Sequence, residues 1–163
     1  MKGQVWSTDF VSSVVVFFIS VVAVLFIWNY SVYSNSQQTV LNDINSLAIK
    51  ISDSLVRTGG LPFGWNDSSV QLIGLASQEN VLNTTKVDYL TSMGYDTLKN
   101  KLKTGGSELY LEIRYINGSV ATNSSGQELA VGTYPSAASM IVPVERYVLL
   151  NELPAKMRLM LWY

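Results

Sequence analysis

A chain of 163 residues with a net charge of −1 and 14% charged residues is long enough for one hydrophobic core but carries no electrostatic footprint for nucleic acid. The absence of His and Cys excludes imidazole and thiolate metal ligands, Ser-His and Cys-His nucleophile pairs, and any disulfide. No spacing brings two carboxylates into one predicted pocket, so neither an enzyme nor a bound cofactor is expected.

Residues 1–9 form a short leader and helix start, with Lys2 as the first cation. Phe10 to Trp28 then run without a charge, long enough to cross a hydrocarbon core of about 30 Å at about 1.5 Å per residue. A secretory signal peptide has a shorter apolar stretch and an Ala-x-Ala-like cleavage site behind it. Here the run ends in Trp28-Asn29-Tyr30, an interfacial aromatic pair, so 10–28 is expected to be retained as a transmembrane helix in contact with lipid. The next cation after Lys2 is Lys50, a bias that keeps the N-terminus in the cytoplasm and puts the rest outside.

The helical pattern continues through 29–58, where Ser31 to Arg57 contain neither Pro nor Gly. Val40, Ile44, Leu47, Ile51 and Leu55 recur at steps of three and four, with Leu41, Ala48 and Val56 widening the stripe. Gly59-Gly60 supplies a stop, followed by Pro62. One helix from Thr8 to Arg57 would be roughly 75 Å long.

The head, 59–163, reads as mixed. Val70 to Ala76 is a short strand candidate; Asn83-Thr84-Thr85 caps one helix, and Tyr95 to Leu102 forms a second, ended by Gly105-Gly106. Glu108 to Ile116 alternates as a strand, and Asn117-Gly118 turns it into Ser119 to Thr122. Ala138 to Leu150 and Lys156 to Trp162 read as strands interrupted by Pro143 and Pro154. The expected fold is therefore α+β: a long N-terminal helix packed on a small antiparallel sheet. Glu112, Arg114, Glu145, Arg146 and Arg158 are expected to pair across strands on its outward face. Trp65, Tyr110, Tyr115, Tyr134, Tyr147, Trp162 and Tyr163 either pack in the core or line a carbohydrate or partner surface.

Five Asn-x-Ser/Thr sequons occur, at Asn29, Asn66, Asn83, Asn117 and Asn123. Asn29 lies too near the membrane surface to be a good acceptor, which leaves Asn66, Asn83, Asn117 and Asn123 as candidate N-glycosylation sites.

The start Met1-Lys2-Gly3-Gln4, the apolar helix directly behind it, its amphipathic continuation and the β-rich head together resemble archaeal type IV pilin-like proteins. That resemblance implies cleavage between Gly3 and Gln4 by a prepilin-type peptidase, with the helix kept as the packing core of a cell-surface filament. The family's Glu at mature position five corresponds here to Thr8, with Asp9 one further on. A shift of one residue turns a helical side chain by about 100°. The resemblance thus assigns Asp9 the carboxylate role, pairing with a neighbouring subunit's N-terminal amine, and Lys2 a topological one. The implied partners are copies of the chain or related pilins. The alternative is a membrane-anchored extracellular binding or envelope module that does not polymerise, although a plain anchor does not need the amphipathic continuation.

Overall fold

A computed structural model of the chain describes residues 3–136, 138 and 140–163, and for 3–7 and 34–37 the backbone alone. It is α+β, with a long N-terminal helix and a six-stranded mixed sheet. The chain divides into two compact units, 1–42 and 43–163.

Over its described residues the first unit is helix alone, the leading part of α1 (Gly3–Arg57). Its uncharged stretch is long and apolar enough to cross a membrane. Two hydroxyls within it are satisfied locally: Ser13 Oγ donates to Asp9 O and Ser20 Oγ to Val16 O, both at 2.8 Å. Bonds of this kind let serine sit in an apolar medium without an orphaned donor.

The second unit begins at Asp43 and includes the end of α1. Ile44, Ala48, Ile51, Ser52, Leu55 and Val56 are buried there in one core with the sheet. Of the predicted stripe, Val40 and Leu41 are exposed and Leu47 is half-buried, so burial starts one turn later than the periodicity suggests. The last-turn carbonyls that no helix bond can reach are met by backbone from the chain beyond. Leu75 N–H donates to Leu55 O (2.9 Å), Asn80 N–H to Val56 O (2.8 Å) and Ala76 N–H to Thr58 O (3.0 Å). The loop between is pinned by Trp65, whose Nε1 donates to Gly59 O and Gly74 O at 3.0 Å each. Gly74 is obligatory here, because a Cβ would collide with the Thr58 and Gly60 backbone.

The sheet order is β1-β2-β5-β6-β3-β4, with β1 (Ala76–Gln78), β2 (Val81–Leu82), β3 (Glu108–Tyr115), β4 (Ala130–Gly132), β5 (Ile141–Leu150) and β6 (Leu153–Trp162). Helices α2 (Thr84–Ser92) and α3 (Tyr95–Leu102) lie between β2 and β3 in the chain. The sheet is not purely antiparallel, because β2 pairs parallel to β5 at Val81↔Leu149. Residues 70–75 form no strand: they are largely buried irregular chain, and the strand starts where they end, at Ala76. Ser119 to Thr122 contributes only the isolated bridges Arg114↔Val120 and Thr122↔Glu128. Helix α3 ends at Lys103 in the left-handed region, before the Gly105-Gly106 pair.

Pro143 and Pro154 do not interrupt their strands. Leu149 N–H points away from β6, donating to Asn80 O at 2.8 Å, and Pro143 shares its parity. The missing N–H therefore falls on the open edge of β5, where no ladder bond is lost. Pro154 lies past the last β3 partner, in the pair Tyr115↔Ala155.

Candidate functional site

The feature with the largest functional content is the apolar surface of α1. Phe10, Phe17, Phe26 and Trp28 are each more than 60% exposed, and the valines and isoleucines between them are exposed as well, apart from the half-buried Val14. Soluble chains rarely expose so large an apolar patch, and such a patch marks a surface for lipid or for another protein. Within it Ser12 and Ser13 open a notch beside Val16 and Phe17.

Lys2 lies outside the described residues. Gly3 opens α1 and Gln4 follows in its first turn. Asp9 is exposed one residue before the span, and its carboxylate makes no ion pair with a described residue.

The four candidate sequons occupy turns and caps in the second unit. Asn66 Oδ1 accepts from Ser68 N–H, Ser68 Oγ and Ser69 N–H. Asn83 is the N-cap of α2, its side chain accepting from Lys86 N–H at 3.2 Å. Asn117 Oδ1 accepts from Ser119 N–H and Oγ in an exposed turn. Asn123 Oδ1 accepts from Ser125 and Gln127 N–H, while its Nδ2 donates to Gln127 Oε1 at 3.1 Å.

On the outward face of the sheet, Glu112, Arg158 and Glu145 stand opposite one another on β3, β6 and β5. Arg158 Nη1 reaches Glu112 at 3.3 Å and its Nε reaches Glu145 at 2.8 Å, with Arg114 and Lys156 completing the row. Hydrogen bonds from Arg158 and Lys156 hold the Glu145 carboxyl below its usual range. Arg146 does not join this row: it faces the other side, paired with Asp53 of α1 at 2.9 Å. At the edge of β3, Tyr95 OH donates to Glu108 Oε2 (2.7 Å) and accepts from Leu109 N–H (2.9 Å). Burial and the Glu108 hydrogen bond push this phenol up to about 12, and Lys99 and Tyr95 hold Glu108 low. Lys86, nearly buried, donates to Gly59 O at 2.6 Å beneath the Phe63 ring, and burial pushes its amine down.

Of the aromatic residues, Trp65 is core and Trp162 is nearly so, while Tyr134, Tyr147 and Tyr163 are exposed. The sequence reading passed over a groove of about 480 Å3 between the start of α2, the end of β3, the 122–124 turn and the β5–β6 hairpin. Its walls come from four separate segments, so no single stretch of sequence carries its signature. Compared with protein-family models, with curated proteins and with solved structures, the chain matches none.

Proposed function

We propose that the chain is a structural subunit, major or minor, of an archaeal type IV pilus-like surface filament. The observation that supports this most is the run of helix over Gly3–Arg57, which joins an exposed uncharged span to a stretch buried in the head. A plain anchor needs the span but not a helical continuation that forms part of the head's own core. In this reading the peptidase cuts after Gly3, the N-terminus lies on the cytoplasmic side, and the head is extracellular. Apolar side chains such as Phe17 and Phe18 exchange lipid for neighbouring copies during assembly. The notch at Ser12 and Ser13 gives them a place of close approach. Asp9 pairs with the neighbour's new amine at Gln4, a contact of opposite charges that strengthens as the bundle excludes water. Glycan, where the chain carries it, goes first to Asn117, because that turn is exposed and its Nδ2 donates no internal hydrogen bond, unlike that of Asn123.

Shearing of intact cells tests the reading. The expected result is the chain in the sheared fraction, in filaments visible by electron microscopy, with Asp9→Ala leaving it in the membrane. A chain confined to the membrane in both forms contradicts assembly and leaves the anchored binding module.

A further inference from the structure

We infer that the groove between α2 and the β5–β6 hairpin is a binding site for a neutral saccharide. The proposal is independent of whether the chain polymerises.

Six side chains converge on the groove from four segments: Thr84, Thr85 and Asp88 from α2, Tyr115 from β3, Thr122 from the turn, and Asn151 from the hairpin. Beneath them lie the buried Val87, Leu129 and Leu150, so the surface offered to a ligand is mainly polar. The volume of about 480 Å3 falls in the range of ~300–1,000 Å3 typical of small-molecule sites.

The chemistry of the walls selects the ligand class. Thr84, Thr85, Tyr115 and Thr122 supply hydroxyls that both donate and accept, and Asn151 adds an amide. None of these side chains is committed to a hydrogen bond with a described residue. Asp88 spends one oxygen weakly, on Ser124 N–H at 3.3 Å, and keeps the other as an acceptor. Among the described residues no Lys or Arg lines the groove, so an anionic ligand would meet a carboxylate with no compensating cation. A lone carboxylate without an aromatic cage is a poor trap for an organic cation. A purely apolar ligand would leave the hydroxyl walls unpaired on binding. What remains is a neutral, polyhydroxylated molecule with one apolar face. Its hydroxyls meet Asp88, Asn151 and the threonines, and its C–H face meets the Tyr115 ring. The Asn123 sequon lies at the same groove, so the site requires that Asn123 stays unmodified.

The test uses the full chain in phospholipid nanodiscs, which avoids sugar-based detergents. Methyl glycosides of glucose, mannose and galactose, and N-acetylglucosamine, are offered at millimolar concentration with saturation-transfer NMR as readout. The expected result is transfer to at least one glycoside, with affinity weakened at least ~10-fold by Asp88→Asn and by Thr85→Val. Both variants should keep the wild-type melting temperature, and Asp96→Asn on α3 should bind as wild type. Absence of transfer to every glycoside overturns the proposal, as does transfer that persists unchanged in both groove variants. Perturbation of groove resonances by inorganic phosphate but by no glycoside would also overturn it.

Discussion

At Tyr95 a single hydroxyl does what a neighbouring strand would otherwise do. β4 meets β3 only at Tyr110, Leu111 and Glu112, so the N–H of the fully buried Leu109 depends on the Tyr95 oxygen. Tyr95→Phe removes that acceptor and leaves a buried donor unpaired, for an expected loss of ~1–3 kcal/mol in denaturant unfolding. The same region sets a pH dependence. Glu108 and Glu145 both have folded pKa values below the unfolded carboxylate value. Between the two values the unfolded state binds more protons, so stability rises with pH there. The contribution is complete above the unfolded value of about 4.3 and is lost as pH falls through the depressed folded values. The melting temperature of the head should therefore drop below about pH 4.5, by a modest amount because both groups are more than a third exposed. Glu145→Gln should flatten part of that slope; an unchanged profile would mean the Arg158 and Lys156 bonds do not form in solution.

At the scale of elements, α1 serves two environments, and substitutions in its two parts should fail in different ways. Leu55 is fully buried, so Leu55→Ala should cost about 2–5 kcal/mol of head stability, with a large loss in thermal unfolding. Val16 is exposed in the span, and Val16→Lys should leave head unfolding unchanged while costing ~2.5–3.5 kcal/mol in membrane insertion. Alkaline extraction of membranes reads that loss directly. The helices, the strands β3, β5 and β6, and the cross-strand pairing of Glu112, Arg158 and Glu145 were legible in the sequence because each rests on a local period or a local cap. Four features were not. The parallel pairing of β2 rests on two residues, too few for any period. Arg146 turns inward against the charge pattern because Asp53, almost a hundred residues earlier, is there to meet it. Pro143 is harmless only because of which edge β5 leaves open. Residues 70–75 are apolar enough for a strand, but are held instead by the Trp65 loop and by bonds back to the end of α1.

For the whole molecule, the head accounts for its own stability: its core draws on the end of α1, the loop behind it, both short helices and the sheet. The stretch 10–28 has no buried residue. It is surface kept apolar for some other solvent, which is why the functional proposal rests on it. The groove was illegible for the complementary reason: Thr84, Tyr115, Thr122 and Asn151 become neighbours only once the sheet has formed. The central claim, that α1 belongs to a processed filament subunit, is tested most directly by the intact mass and N-terminal peptide of the chain from native membranes and from the sheared surface fraction. The account predicts a chain beginning at Gln4 in the sheared material. A chain that retains Met1 and stays in the membrane would contradict it.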